Sequence, residues 1–423
     1  MSPAPLSAPL IAAIDDPATL RHGTPAALAA ALADSRQHTL RLFDAYAAAL
    51  PRGLEVAYAP ELNPPLWELG HIAWFEESWL ARNPLRGRWR DAGPHSARGA
   101  SCLPRADALY DSTQVAHPKR WHLDLPNAQA TRHYAEQVRQ QTLALLHDTA
   151  HDHDALYFYR LALAHEDMHG EATVYMAQQL GLAIGPALRA AASAPCALGC
   201  SLEGKVPGEV ALTGGAFVLG NPDPGFAFDN ELGAHELMLP AFSIDRAPVN
   251  WARFLPFIDA GGYDDRRWWS DEGWAWRRTH SAGRPRYLRH EEDGNWRRAS
   301  FGQWLALDPA LPACHLTLHE AQAWCAYAGR RLPSEAEWEL AATTLADGFE
   351  WGQVWEWTAS AFAPYPGFTA HPYHDYSLPW FDGRPVLRGA SFATAPRMKS
   401  ARYRNYFPAA RHDIFAGFRS CRY

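Results

Sequence analysis

The stretch Asp154-Ala155-Leu156-Tyr157-Phe158-Tyr159-Arg160-Leu161-Ala162-Leu163-Ala164-His165-Glu166-Asp167-Met168-His169-Gly170-Glu171-Ala172-Thr173-Val174-Tyr175-Met176-Ala177-Gln178-Gln179-Leu180-Gly181 decides the architecture of the N-terminal half. No proline interrupts it, and Gly181 supplies the left-handed residue on which helices commonly stop, so the spacing predicts one long helix over about 154–180. Within it His165 and His169 stand at i and i+4, on one face and one turn apart, the spacing at which two imidazoles can hold one metal ion. Tyr157, Leu161, Ala162, Val174 and Tyr175 suggest that this face points inward, as metal sites in helix bundles do. Two solvated or packed histidines would give the same letters.

Three further helices precede it. Thr24-Pro25 offers an N-cap and a first-turn proline for a helix to about Leu50; a second fits Pro65 to Arg82; a third follows Asn127 and runs to about His147. Four long helices predict an antiparallel bundle. The connection from Asn83 to Pro126 is long for a bundle and is expected to carry function. After the Ala/Pro-rich stretch Ile184 to Pro195 the pattern changes to short alternating runs with Gly, Pro and Asn between them, as in the stretches at 208–221, 235–249 and 384–392. These predict strands and hairpins, with helices only at Leu316–Ala328 and Ser334–Ala342.

The chain has 423 residues, a soft expectation of two to three domains, and its 48% apolar and 20% charged residues describe a globular protein. A charge of −7 without basic runs argues against nucleic acid or anionic membrane as the main partner. Six cysteines without a Cys-x-x-Cys pair predict mostly buried thiols in a reducing compartment; Cys196 and Cys200 lack the second close pair that a zinc site would need. The N-terminus lacks a basic residue before its short apolar stretch, and no apolar run is long enough to span a bilayer, so a cytoplasmic protein without leader or membrane helix is expected. What stands out is 18 Trp and 20 His against 5 Met.

The second helix accounts for part of the histidine excess. His71 lies in the apolar setting Trp67-Glu68-Leu69-Gly70-His71-Ile72-Ala73-Trp74-Phe75, where a lone histidine is commonly a packed core residue. One bundle layer from the pair, it would complete a three-histidine face with positions left open for water, dioxygen or substrate. Neutral imidazoles suit iron, zinc, copper or nickel alike. The letters His165-Glu166-x-x-His169 also match the zinc-hydrolase helix, in which the glutamate is general base, although Gly170 is followed by Glu171 and Ala172 rather than by a third-ligand pattern.

Several motifs carry a resemblance. Phe228-Asp229-Asn230-Glu231, Gly261-Gly262-Tyr263, Arg331-Leu332-Pro333-Ser334-Glu335-Ala336-Glu337-Trp338-Glu339, Val354-Trp355-Glu356-Trp357-Thr358, Val386-Leu387-Arg388-Gly389-Ala390-Ser391-Phe392 and Gly417-Phe418-Arg419 resemble the formylglycine-generating-enzyme (sulfatase-modifying factor) fold, and the helical half resembles DinB-like bundles. The resemblance implies two domains: an N-terminal all-α DinB-like four-helix bundle at 1–185, a linker at 186–205, and a C-terminal α+β, loop-rich, C-type-lectin-like domain at 206–423. Formylglycine generation itself is not expected, because the segment 393–401 contains no cysteine. The pairing of the halves is similar to the ergothioneine synthase family, non-haem iron enzymes that use dioxygen to join sulfur to the imidazole of hercynine, the trimethylated betaine of histidine. This likeness implies iron(II) ligands at His71, His165 and His169, a catalytic tyrosine at Tyr373 or Tyr376, and a hercynine contact at Asn405; Tyr406 and Phe407 beside it are expected in the substrate pocket, where some ergothioneine synthases carry a tryptophan and an aspartate that holds the donor's amine. A quaternary ammonium donates no hydrogen bond and is held best by aromatic faces, which the C-terminal stretch supplies in number.

The donor is expected to contact the connection between the second and third helices. Relatives that use cysteine or γ-glutamylcysteine carry spaced arginines there; here Lys119 and Arg120 are a single adjacent pair, and Ser112, Thr113 and Gln114 are neutral. The Tyr110-Asp111-Ser112-Thr113-x-Val115-Ala116-His117-x-x-Arg120-Trp121 pattern looks like the selenoneine synthase branch, whose donor is a selenosugar, 1-seleno-glucose. The resemblance therefore implies carbon–selenium bond formation with Lys119, Arg120, Ser112 and Gln114 near the donor, and carbon–sulfur bond formation with a thiol donor as the alternative.

Overall fold

A computed structural model describes residues 13–50, 53–189, 208–280, 282–345 and 348–423. Most of the expected linker at 186–205, Cys196, Cys200 and the apolar N-terminal stretch lie outside these residues.

The helical half opens with α1 (Pro17–His22) and α2 (Pro25–Ala49), the latter capped by the Thr24 hydroxyl on the Ala27 N–H with Pro25 in its first turn. α3 (Pro65–Trp79) also starts on proline and stops three residues short of the expected Arg82, where Leu80 leaves helical angles. A short α4 (Ala106–Tyr110) divides the long connection, and a tight turn at His117–His122 follows it. α5 (Ala128–His147) is capped by Asn127, and α6 (His153–Leu180) ends on Gly181 at φ 67°. α3 packs on α5, and α2 on α6, with a common core of aromatic and aliphatic side chains.

The second half holds β1 (Glu209–Leu212), β2 (Gly215–Leu219), β3 (His235–Leu239) and β4 (Phe242–Asp245); β1 pairs with β4 and β2 with β3, so one hairpin is nested within the other. Two helices there contradict the expectation of helices at 316–328 and 334–342 alone: α7 (Trp251–Asp259) and α8 (Asp271–Thr279). Pro256 inside α7 reads as a breaker, yet the Asn250 cap and three buried aromatics hold that short helix. Ser270 caps α8, a Trp- and Arg-rich segment with weak apolar periodicity. β5 (Leu288–His290), β6 (Trp296–Ser300) and β7 (Gln303–Ala306) form an antiparallel sheet, followed by the expected α9 (Leu318–Tyr327) and α10 (Glu335–Thr344). The last sheet runs β10 (Asn405–Tyr406), β9 (Pro385–Arg388), β8 (Trp355–Ala361), β11 (Ala416–Phe418), with β11 parallel to β8.

The halves share one core and are pinned by buried polar contacts. Arg21 bonds Glu231 at 2.8 Å, the Tyr157 hydroxyl bonds His371 at 2.9 Å, and Arg397 forks onto Asp167 at 2.7 and 2.8 Å. A helical N-terminal half and a C-terminal half of small sheets and loops make a two-domain architecture. Among the described cysteines Cys325 and Cys421 are buried, Cys314 is partly so, and Cys102 is exposed. No helix among the described residues is long and apolar enough to cross a membrane.

Candidate metal centre

α6 presents a different partner to each side. His165 and His169 face His71 on α3, and a ligand atom from each of the three lies within 4.8 Å of the others. Gly70 makes this approach possible: a Cβ there would meet the Tyr110 ring at 2.2 Å, and the backbone carbonyl of Tyr110 sits 2.8 Å from Nδ1 of His71. A carbonyl only accepts, so Nδ1 of His71 carries the proton and its Nε2 lone pair is free. Nδ1 of His169 donates in the same way to the buried carboxylate of Glu68, which also accepts from Asn63 at 2.9 Å. The ring of His165 lies flat on Phe75, centroids 3.6 Å apart, and its buried Nε2 has no protein partner. The donor set thus fits a metal ion: imidazoles oriented by packing and outer hydrogen bonds, with an orphaned buried nitrogen among them.

Electrostatics agree. Burial, and then the neighbouring His169, push His71 down to about 3; burial and the other two histidines hold His165 well below its usual value, so both are neutral as ligation requires. Burial alone would raise Glu68, but the His169 contact overrides it and keeps Glu68 a carboxylate.

Glu166 is not placed for hydrolysis. It accepts from Nε of Arg36 and the hydroxyl of Thr39, each at 2.8 Å, and from Arg139, in a buried cluster that includes Glu76. That cluster lies on a different side of α6, and Arg36 and Arg139 hold Glu166 down at about 2 against its burial. The zinc-hydrolase alternative needs this carboxylate beside the metal-bound water, and the geometry turns it away.

His165 and His169 open onto a cavity of about 300 Å³, lined also by Glu171, Tyr373, Asp375, Tyr376, Asn405, Tyr406 and Phe407. Of the aromatics in the C-terminal stretch, Trp355, Trp380 and Tyr403 also line it, joined by Tyr175 of α6, whereas Trp357, Tyr365, Phe368, Phe381 and Phe392 lie elsewhere. Glu171 is fixed there by Trp355, Ser391 and Thr394 at 2.7, 2.5 and 2.7 Å.

The Tyr373 ring centroid is 6.1 Å from that of His165, while Tyr376 stacks on Phe228 at 4.2 Å. Tyr373 and Asp375 also line a second cavity, which contains Ser112, Thr113 and Gln114 together with Arg82, Arg98, Asp107 and Asp111. In that loop Asp111 accepts from the Thr113 hydroxyl at 2.7 Å and from the Gln114 amide at 2.6 Å, so two of the three neutral groups are tied locally.

Lys119 and Arg120 line neither cavity. Lys119 is exposed, and Arg120 lies 3.8 Å over the Trp67 ring and bonds Asn63 at 2.8 Å, behind the histidines. Sequence reasoning missed Glu68, Glu171, Asp375 and Arg98. A signal existed for Glu68, an acid one turn before His71 on the same helix.

The sulfatase-modifying factor enzyme 1-like domain family matches residues 199–353. A hercynine oxygenase of Mycolicibacterium smegmatis is 34% identical over 93% of this chain and 97% of its own length, and that of Mycobacterium tuberculosis is 34% identical over 94% and 98%. A formylglycine-generating enzyme of Streptomyces coelicolor is 33% identical over 34% of this chain and 50% of its own. With such identity sustained along nearly the full length of both mycobacterial proteins, the chain belongs to the hercynine oxygenase family of enzymes.

Proposed function

We propose that this protein is an iron(II)- and dioxygen-dependent enzyme that joins a chalcogen atom to the imidazole carbon of hercynine, with a 1-seleno-glucose-type selenosugar as donor. The observation that carries the reading is the three-histidine cluster, preset by Tyr110 and Glu68, opening onto an aromatic cavity. His71, His165 and His169 would hold the iron. When bound, iron supplies the electron-transfer chemistry with dioxygen that side chains lack. In the balanced reaction the imidazole C–H and the Se–H bonds break, C–Se and Se–O bonds form, one oxygen atom stays on selenium, and the other leaves as water.

The side chains divide the remaining work. Tyr376, Tyr406, Phe407 and Trp355 offer ring faces to the trimethylammonium group, and Asn405 offers an amide to the polar end of the betaine. Tyr373 stands on the wall between the two cavities, so its phenolic oxygen can hold or deliver a proton where the two substrates meet; this favours it over Tyr376 as the catalytic tyrosine. A cytoplasmic setting belongs to the same reading, since a selenol or thiol donor persists in a reducing compartment.

The second cavity favours a hydroxyl-rich donor. Asp375 repels an anionic peptide but accepts from sugar hydroxyls, Ser112 adds a neutral partner, and Arg82 and Asp107 engage each other through two bonds of 2.8 Å. One observation favours a thiol peptide instead. Arg98 lines the same cavity, stacked 4.6 Å over Trp79, and could receive a carboxylate. Purified protein with iron(II), air and hercynine should be offered selenoglucose, γ-glutamylcysteine and cysteine separately, with products read by mass spectrometry. Product from a thiol alone would overturn the donor assignment. Product from none would overturn the reaction.

A further inference from the structure

A cavity of about 320 Å³ lies at the C-terminal end of α6 and shares no lining residue with the cavity at the histidines. Its size is at the lower end of the roughly 300–1,000 Å³ range of small-molecule pockets. One wall is the β5–β7 sheet, docked on α6 where Gln178 bonds the Ala299 carbonyl and the Phe301 N–H at 3.0 and 2.6 Å. A Cβ on Gly302 would meet the Gly181 carbonyl at 2.3 Å, so glycine is required for that docking. Trp251, Phe301, Leu305, Leu311, Phe392 and Phe415 make the lining largely apolar.

Three polar atoms in this wall lack partners. Nδ1 of His315, in a side chain with 9% exposure for the residue, the Tyr287 hydroxyl and Nε of Arg298 have no hydrogen bond. Leaving three such atoms buried and unpaired is costly unless something fills the space between them. Arg286 and Arg298 both line the cavity, and neither is in an ion pair among the described residues. Asp413, the carboxylate whose charge reaches His315, is held by Arg411 through two bonds of 2.6 Å. Tyr287 and His315 also adopt left-handed backbone angles, φ 64° and 62°, and so does Phe301 at φ 47°, in the two-residue turn with Gly302 that joins β6 to β7.

We propose that this cavity is a second small-molecule site that takes a monoanionic, mostly apolar ligand: a carboxylate joined to an aromatic or branched aliphatic body. The carboxylate meets Arg298 and Arg286, with Tyr287 and His315 completing its hydrogen bonds, and the body fills the apolar wall.

Isothermal titration calorimetry of the full chain tests this with 3-phenylpropionate as probe and 3-phenylpropionamide as its uncharged counterpart. The expected result is one molecule bound per chain, with affinity lower by about tenfold for the amide and by about tenfold for the acid in Arg298→Gln or Arg286→Gln. Asn405→Ala, in the other cavity, leaves binding unchanged. The melting temperature of each variant reports its folding; where Arg298→Gln fails to fold, Arg286→Gln carries the test. No saturable binding at millimolar probe overturns the proposal. So does equal affinity for acid and amide, or loss of binding in Asn405→Ala with both arginine variants unaffected.

Discussion

Replacing Glu68 with glutamine should weaken metal binding without unfolding the protein, and the size of the effect follows from what Glu68 touches. Its carboxylate accepts from Nδ1 of His169 on one side and from the Asn63 amide on the other, and it is 4% exposed, so solvent does not screen its charge. Glutamine keeps the volume but presents one acceptor and one donor. If its oxygen faces His169, its NH₂ meets the Asn63 NH₂ donor to donor. Asn63 cannot simply flip, because its oxygen already accepts from Arg120 at 2.8 Å. Every arrangement of the new amide with Asn63 and Arg120 would leave one bond unmade, and the remaining bond to His169 would lose its ionic character.

Outer-shell losses of this kind typically reduce metal affinity by about 10–100-fold, or roughly 1.4–2.7 kcal/mol. Anaerobic titration of the metal-free protein with cobalt(II), read from its visible absorption against a competing chelator, measures the change. Glu77→Gln is the control: Glu77 is buried on the same helix but accepts from Ser101, Tyr134 and the Cys102 N–H, so its loss should lower stability and leave cobalt affinity alone. Cobalt affinity within about twofold of the parent in Glu68→Gln would refute the orienting role of the carboxylate.

Other expectations follow from neighbouring groups. Tyr373→Phe keeps the ring against Phe75 and His165 and should bind metal as the parent does, while product formation falls by about 10²–10⁴-fold; retained turnover would remove the tyrosine from catalysis. Glu166→Gln should cost about 3–5 kcal/mol in denaturant unfolding, because Arg36 and Arg139 lose a buried partner; unchanged stability with lost turnover would instead revive a general-base role. Burial pushes His38, His315 and His371 down to about 3, 3 and 4. Their folded values lie below the unfolded value of about 6.5, so the unfolded chain binds more protons in that window, and stability is full above about pH 6.5 and falls as pH drops toward 4. The melting temperature should therefore be lower at pH 5 than at pH 7.5, with a smaller drop in His38→Gln; a flat profile would contradict it.

What was legible in the sequence was local. The Thr24, Asn127 and Gly181 caps mark their helix ends because each acts on backbone within a turn, and the i, i+4 spacing of His165 and His169 is fixed by helix geometry. What was not legible depends on distant partners. Nothing near Glu166 in sequence announces that Arg36 and Arg139 will claim it, and the zinc-hydrolase letters are uninformative without that contact. The nested pairing of β1 with β4 around β2 and β3 is equally invisible to alternation, which sets faces but not partners. α7 was hidden by Pro256, whose helix-breaking tendency is outweighed by Trp251, Phe254 and Phe257 in the core. In the connection between α3 and α5, Thr113 and Gln114 look available as hydrogen-bonding groups, but Asp111 two and three residues earlier captures both.

The position of the three-histidine cluster at the junction of the halves has a mechanical consequence. On α6, Asp167 precedes His169 by two residues and Glu171 follows it by two, and both carboxylates are gripped by the C-terminal half, Asp167 by Arg397 and Glu171 by Trp355, Ser391 and Thr394. Glu166, turned about 100° away from Asp167 on the side opposite Glu171, is held by the bundle's own arginines. The helix can therefore neither turn nor slide without breaking a buried charged contact, which is far more costly than a surface one. The residues that line the cavity from the other side, Asn405 and Tyr406 on β10, belong to the same sheet as Trp355 on β8. One continuous set of bonds thus runs from the wall of the cavity through Trp355 and Glu171 to His169, so the distance from that wall to the histidines is set by the fold rather than by the substrate.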